Sequence, residues 1–516
     1  MKTPILGSSY VVRSPNAADA RMVNLYPEVI PEGGKEPAYL QRCPGMELIA
    51  TVGTGPVRGL YNFKNDLYVA SGSEFFKVTP ALGITKLGDI TGTGPVSIAD
   101  NGTQIFLACN PDGYIYNSNT NVFQKITDPD FPGAVTVGYL DGYFVFNEPN
   151  SQRIWVTQLL DGLSIDPLDF ASAEGSPDGL VSIIIDHREA WLFGTNSVEV
   201  WYNSGNPDFP LERIQGAYNE IGCIAPYSVA KLDNSVFWLG ADARGRGIVY
   251  RAQGYQGVRV STHAVEFAIQ QYEDMSDAFG YTYQQDGHAF YVLIFPSADT
   301  TWVYDAATGA WHERASLVNG EYKRHRSNCH APFDNYPTVG DYQNGSIYQF
   351  KLDIYQDAGI EQKWLRRWRA LPTGQNNLTR TIHHQLQLDC QTGVGLSGNE
   401  SASALDQILA NESGQELITQ QVISPNTTQS PLYALIGEIV GNNPQVMLRW
   451  SDDGGHTWSN EFWRDMGPIG ATYTRVIWRR LGATMKSRDR VYEVSGTDPV
   501  IVAIMGAELS LSPTTA

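Results

Sequence analysis

Basic residues are in short supply: 36 Lys and Arg face 55 Asp and Glu over 516 residues, for a net charge of −19 and a pI near 4.9. That deficit argues against a generic nucleic-acid coat, because phosphate binding depends on basic side chains displacing counterions. An acidic surface instead keeps a large protein soluble and apart from its neighbours. Cysteine occurs five times, at Cys43, Cys109, Cys223, Cys329 and Cys390, with no Cys-x-x-Cys pair. An odd, scattered set argues against a disulfide framework and points to reduced thiols made in a cytoplasm. Long apolar runs are missing, the longest being stretches such as Leu180 to Ile185 and Val500 to Met505, so no membrane insertion is expected. Met1 to Gly7 lack the apolar core of a secretory signal, and the expectation is that no export route is encoded.

What is abundant is turn and aromatic chemistry. The chain holds 50 Gly, 28 Pro, 27 Tyr and 12 Trp, a mixture that suits aromatic-rich strands separated by many turns. Its length exceeds what one compact core usually supports, so a large ring-like domain with a smaller companion is expected. A spaced repeat gives that ring its form. Gly55-Pro56-Val57, Gly94-Pro95-Val96 and Gly133-Ala134-Val135 recur every 39 residues. Each is followed by a polar turn (Lys64-Asn65-Asp66, Asn101-Gly102-Thr103, Asp141-Gly142-Tyr143) and an apolar run. Units of about 40 residues with several short strands are the signature of propeller blades, since one small sheet cannot bury both faces unless neighbours stack around a ring.

Looser units follow over Leu180 to Tyr202, Tyr227 to Tyr250, Phe279 to Glu313 and, most weakly, Thr338 to Phe350. The expected fold is all-β, a six- or seven-bladed β-propeller-like domain over 53–360, with 1–52 an extended N-terminal segment that could supply a closing strand. Residues 361–516 read as a β-sandwich-like domain with strands at Gln445 to Trp450, Thr472 to Trp478, Arg490 to Val494 and Ile501 to Leu509. Within it, Asn399 to Thr428 forms a polar Ser/Asn/Gln-rich insertion, where Ala404 to Leu409 could make a helical turn.

The sharpest motif is Ser451-Asp452-Asp453-Gly454-Gly455-His456-Thr457-Trp458, an Asp-box of the form Ser-x-Asp-x-Gly-x-Thr-Trp. Its Asp pins a hairpin through backbone hydrogen bonds, Gly supplies a positive φ and Trp packs beneath, so Ser451, Asp453, Gly455 and Trp458 are expected to act structurally. Asp-boxes resemble those of sialidases, which makes a glycan-binding or glycan-cleaving propeller the alternative function. Sialidases carry several copies inside the propeller, whereas this chain has one copy outside the repeats. Catalytic signals are otherwise thin: no Gly-x-Ser-x-Gly elbow and no phosphate-binding Gly-x-x-x-x-Gly-Lys loop occur. His325, Cys329 and His330 lack a second ligand pair at zinc spacing and read as a turn, and no metal or cofactor is expected. Gly245-Arg246-Gly247 reads as a hairpin tip whose Arg244 and Arg246 could touch a partner. Adjacent His383 and His384 should point to opposite faces of a strand.

Two basic patches break the acidic average: Lys363 to Arg369, with Arg366, Arg367 and Arg369, and a second set at Arg475, Arg479, Arg480, Lys486, Arg488 and Arg490. Interleaved with Trp364, Trp368 and Trp478, they could touch nucleic acid, since arginine stacks as well as pairs. Arginine and tryptophan also anchor protein interfaces, and pairing with acidic subunits or domains is the favoured reading. The first patch, bearing Trp, is expected to cross between domains.

Three blocks carry a family resemblance. They are Val23-Asn24-Leu25-Tyr26-Pro27-Glu28 with Tyr39-Leu40 and Pro44-Gly45-Met46; Ala173 to Leu180 continuing through Leu192 to Trp201; and Val476 to Gly482 with Gly506 to Leu509. In these the chain resembles the tail hub, or packaged-DNA stabilisation, proteins of short-tailed bacteriophages. The resemblance implies a non-enzymatic virion tail protein, assembled in the host cytoplasm as a hexameric ring beneath the portal and adaptor. It further implies that the ring passes double-stranded DNA and carries tail spikes or fibres and a needle or plug. An acidic lumen in such a ring would repel phosphate and let duplex slide out without pausing.

Overall fold

A computed structural model describes residues 1–11, 19–30, 32–34, 36–173, 175–176, 178–372, 380–394, 443–485 and 490–514. The polar insertion 399–428, the turn expected at 404–409, and Lys486 and Arg488 lie outside them. Strands hold 56% of the chain and helix 2%, which places it in the all-β class. The chain divides into two compact units, Met46–Lys351 and Met1–Gly45 with Leu352–Ala516.

The first unit is a propeller of seven small sheets. Blade 1 runs Val57–Phe63, Asp66–Ser71, Glu74–Val78 and Ile84–Asp89, each strand antiparallel to the next. The innermost strands of the other six are Ser97–Asp100, Val137–Leu140, Leu180–Asp186, Ala230–Leu232, Phe279–Gln285 and Ser327–Phe333. The Gly-Pro-Val repeat marks where the chain enters an inner strand, with Val57, Val96 and Val135 all buried. Inner hairpins close on two-residue turns with both φ angles positive, as at Lys64-Asn65, Asp141-Gly142, His187-Arg188, Asp233-Asn234, Asp286-Gly287 and Asp334-Asn335. That geometry matches the right-handed twist of the strands and selects Asp, Asn and Gly.

Apolar faces of neighbouring blades pack together. Phe63, Tyr68 and Phe75 of blade 1 meet Ile105, Leu107 and Tyr116 of blade 2, and Phe237 and Val249 of blade 5 meet Tyr291, Leu293 and Trp302 of blade 6. A fully buried side chain of this kind contributes about 1.5–3 kcal/mol. Polar bonds bridge the inner strands at each seam. Examples are Tyr61 OH to Asp100 Oδ2 (2.6 Å), Ile183 N to Thr136 Oγ1 (2.8 Å) and Thr282 Oγ1 to Lys231 O (2.7 Å). Tyr281 OH lies 2.6 Å from Ser327 Oγ between blades 6 and 7, and Asn328 Nδ2 donates to Val57 O (2.7 Å) between blades 7 and 1. The ring is therefore closed, and the blade number is seven.

Blade 7 is completed from the N-terminal side. Its strands Ser327–Phe333, Tyr336–Asp341 and Ser346–Lys351 take Gly45–Thr51 as their outer partner. Closure is tight: a Cβ on Gly55 would meet the Asn344 carbonyl carbon at 2.0 Å, and one on Gly345 would meet Val52 O at 2.2 Å. His325, Cys329 and His330 are not a turn as expected, because Cys329 and His330 lie within the inner strand of this blade.

The second unit holds two five-stranded layers. One orders Met22–Val23, Trp364–Arg369, Val491–Gly496, Gln445–Ser451 and Phe462–Asp465, and the other Leu25–Val29, Ala38–Arg42, Ala503–Pro513, Thr381–Cys390 and Val476–Ala483. Trp364, Trp368, Leu386, Leu448, Trp478, Tyr492 and Ile504 form one buried core with residues of both layers. Three sequence expectations change here. Met1–Gly45 is not a separate extended segment but contributes strands to both layers. The patch Lys363 to Arg369 forms the internal strand Trp364–Arg369, since Trp364, Leu365 and Trp368 lie in the core. The strand expected at Thr472 to Trp478 runs instead over Val476–Ala483, because turns with positive φ at Gly467 and Gly470 occupy the preceding stretch.

Candidate functional site

The Asp-box joins the strands Gln445–Ser451 and Phe462–Asp465. Asp453 accepts bonds from His456 N (3.0 Å), Thr457 N (2.9 Å), Thr457 Oγ1 (2.6 Å) and Ser451 Oγ (2.6 Å). The Ser451 hydroxyl and then the Thr457 groups hold its carboxyl well below the usual carboxylate range. Gly454 and Gly455 take φ values of +75° and +98°, and Trp458 Nε1 donates to Gly455 O at 3.0 Å. The Ser451 hydroxyl, the Asp453 carboxylate and the Trp458 indole N–H are spent on the loop itself.

The loop also reaches the first basic patch. Trp458 presents its ring to two guanidinium groups, with Arg367 Cζ at 4.6 Å and Arg449 Cζ at 4.8 Å. Both arginines converge on Glu493, which is 2% exposed: Arg367 Nη2 lies 2.8 Å from Oε2 and Arg449 Nη2 2.5 Å from Oε1. Arg367 Nη1 also donates to Asp19 Oδ2 at 3.0 Å. Burial raises the Asp19 carboxyl above its ordinary value, with the Arg367 charge opposing. Two cations and two anions thus neutralise one another and tie the N-terminal strands to the Asp-box. Arg490 makes a similar fork onto Asp452 (2.6 and 2.8 Å).

The five arginines singled out in the sequence therefore part company. Arg366 is 1% exposed with its Nε on Ile5 O (2.6 Å), and burial lowers its pKa to about 10. Arg367 is held in the Glu493 cluster, and Arg369 lies half-buried at the end of the same strand. Within the chain, Arg366 is held by Ile5 O and Arg367 by Asp19 and Glu493. Arg479 and Arg480 stand exposed on Val476–Ala483, the edge strand of its layer. Arg449 and Glu493 were missed in the sequence, where neither stands in a motif. Their signal is alternation on strands that cross the core.

In the propeller, Tyr61, Ser97, Thr136, Tyr139, Ser182 and Tyr227 are among the residues lining an axial cavity of about 500 Å³. Tyr227 at the entry to blade 5 donates its hydroxyl to the backbone Val135 O at the entry to blade 3 (3.5 Å), so this side chain reaches past blade 4 along the inner rim. Burial pushes the Tyr227 phenol up to about 12. A cleft of about 470 Å³ at blades 3 and 4 holds Asp141, Asp166 and Asp169. Each has a donor: Arg188 Nε (2.9 Å), Leu168 N (2.9 Å) and Gln158 Nε2 (2.8 Å) respectively. Among the described residues no group of three or more His, Cys, Asp or Glu could hold a metal ion. His383 is 1% exposed on Tyr492 OH (2.6 Å) while exposed His384 meets Ser512 Oγ (2.8 Å), so the two histidines face opposite ways.

A family model described as "Bacteriophage P22 Gp10, beta-propeller" matches residues 1–355, and a second, "Bacteriophage P22 Gp10, beta-sandwich", matches 418–512. The chain belongs to the bacteriophage P22 Gp10 family. It is a tail hub and stabilisation protein of the podovirus type, in a structural family of virions and not an enzyme family. No curated protein matches the chain. Similar solved structures include a mitotic checkpoint complex (10% identity, TM-score 0.39, covering 63% of this chain and 96% of that one). An S. cerevisiae complex of Dbp5 with Nup159 and Gle1 is 11% identical (TM-score 0.37, covering 63% and 99%). PorZ of the Porphyromonas gingivalis type-IX secretion system is 8% identical (TM-score 0.33, covering 66% and 44%). Scores this low carry no argument about function.

Proposed function

We propose that the chain assembles as a hexameric ring beneath the portal and adaptor of a short-tailed phage. There it retains packaged double-stranded DNA, channels it at ejection and anchors tail spikes or fibres and the closing needle or plug. Membership of the family supports the hub role. The observation that carries the conduit reading is the narrow axis of the propeller. A cavity of about 500 Å³ with Tyr227 in its lining is the size of a small-molecule site. The major groove of a duplex alone is about 12 Å wide. DNA therefore passes between copies and not through a blade ring, so conduction requires an oligomer, and head-to-tail contacts that close generate one. The Asp-box needs no glycan chemistry, because the polar groups of Ser451, Asp453 and Trp458 are consumed by the hairpin.

Mass measurement and particle images of the purified chain test this reading. A closed ring with a lumen wide enough for duplex is expected. A persistent monomer, or a trimer that cleaves polysaccharide, would contradict it.

A further inference from the structure

The acid excess is unevenly shared. Met46–Lys351 holds 18 Lys and Arg against 34 Asp and Glu, a net of −16, and the other unit holds 18 against 21. The described residues of that second unit hold 14 Lys and Arg against 15 Asp and Glu, close to balance. Its buried bases are already committed: Arg42 to Gln362 and Val500, Arg367 and Arg449 to Glu493, Arg490 to Asp452. Within that balance the edge strand Val476–Ala483 carries Arg479 and Arg480 and no acid. From Met466 to Arg488 the sequence has no Asp or Glu in 23 residues, although the whole chain has 55.

Local geometry singles out two residues of that strand. Pairing with Thr381–Cys390 shifts register between His383 and Gln385, and Arg480 takes φ +61°. A bulge of this kind re-aims side chains, and here it leaves consecutive residues Arg479 and Arg480 both exposed where a regular strand would turn one inward. A non-glycine residue in the left-handed region costs roughly 1 kcal/mol, so packing alone gives no reason for arginine there. Among the described residues neither has an ion-pair partner, while Arg475, just before the strand, donates to the Gln387 side-chain oxygen (2.7 Å). Beside Arg479 in register lie Gln385 and then Ser510. The strands of this sheet carry three carboxylates, Glu28, Asp389 and Glu508.

We infer that this bulged edge, with Arg475, Arg479 and Arg480 flanked by Gln385, Gln387 and Ser510, is a docking surface for the phosphate backbone of duplex DNA. The proposal rests on the hub reading and names the part of the subunit that touches the cargo. Arginines with amide and hydroxyl neighbours are the side chains that make backbone contacts to DNA, and such contacts carry no sequence information. Sequence-blind contact suits a conduit that must hold any packaged sequence. Three arginines per copy, repeated around a ring, would brake and retain the duplex. The strongly acidic propeller units would offer it nothing to hold.

The experiment titrates a short labelled duplex of mixed sequence with the full chain by fluorescence anisotropy between about 50 and 200 mM salt. Wild type is expected to bind with a steep salt dependence. Arg479→Ala with Arg480→Ala should weaken binding at least about tenfold and lower the slope of log K against log salt by about 2. A matched pair on the propeller, Arg244→Ala with Arg246→Ala, should leave both unchanged. Thermal unfolding of the double variant should match wild type, since both side chains are exposed and unpartnered. No duplex binding by wild type, or equal binding by wild type and the Arg479/Arg480 variant, overturns the proposal. So does loss of oligomer size in that variant with duplex binding intact, which would make the edge a protein interface. A ring that forms normally and ignores duplex ends this inference and leaves the hub reading standing, whereas a monomer ends the hub reading itself.

Discussion

In the propeller unit several cations sit beside carboxylates: exposed Arg188 on Asp141 (2.8 Å) and Arg244 on Asp242 (2.5 Å), and half-buried Lys77 on Asp66 (2.6 Å) and Arg251 on Asp233 (2.8 Å). In the sandwich unit Arg367 and Arg449 pair with buried Glu493, Arg490 pairs with Asp452 and exposed Lys2 pairs with Glu36, while exposed Arg479 and Arg480 have no ion pair among the described residues. Exposed pairs contribute about 0–1 kcal/mol each, so the propeller's pairs tune its surface without holding it together. Its stability comes from blade faces and turns. The sandwich instead depends on a buried charge cluster, and one unpaired edge is left to meet something outside.

Acid should separate the two units most strongly. His312 and His325, at the seam between blades 6 and 7, are 1% and 0% exposed. Burial drives the first down to about 3 and the second well below its ordinary value. Facing them are Asp305, which favours the charged form of His312, and Arg314 and Arg326, which oppose charging; His288 is held on Asp305 at 2.8 Å. A folded-state pKa below the unfolded value of about 6.5 means the stability is fully present above pH 6.5 and is lost as pH falls toward the folded value. Each histidine then removes about 1.4 kcal/mol per pH unit. The sandwich has one such group, His383, at about 3. Hydrogen exchange between pH 6.5 and 4 should show the propeller strands losing protection at least twice as steeply as the sandwich strands. Equal slopes would break the comparison.

Next in size, Glu493→Gln should destabilise the sandwich by about 3–5 kcal/mol, because Arg367 and Arg449 lose their shared counter-charge. Propeller exchange rates should not change. Gly345→Ala should do the converse, costing the propeller about 1–3 kcal/mol as its Cβ is forced toward Val52 O at the ring closure. Asp453→Ala should cost about 1–2 kcal/mol, confined to the sandwich, as the Asp-box loop loses its four bonds. Smallest is a gain. Leu82, exposed at φ +60° in a blade 1 turn, becomes less strained as Leu82→Asn, worth about 0.5–1 kcal/mol in a denaturant melt.

Much of the propeller was readable before folding because each blade writes the same turn. Asp141-Gly142 and Asp286-Gly287 require positive φ twice, and few residue pairs tolerate that. The seventh blade was the faintest in sequence, since its outer strand Gly45–Thr51 lies some 300 residues from its neighbour Ser346–Lys351 and no local pattern links them. The same long-range pairing hid the fate of Met1–Gly45. The Asp-box was legible as a unit because its partners lie within seven positions. Its seat on Arg367, Arg449 and Glu493 was not, because those residues come from three strands far apart in the chain. Arg479 and Arg480 could be named from sequence, but their shared exposure depends on a bulge, which has no residue signature of its own here.

The central claim is that copies of this chain surround the DNA. Particle images of the purified chain, taken alone and with duplex added, test it most directly. A closed ring of subunits is expected, with density for duplex in the lumen between copies and none along any propeller axis. A lone subunit in both samples, or duplex threaded through a blade ring, would contradict it.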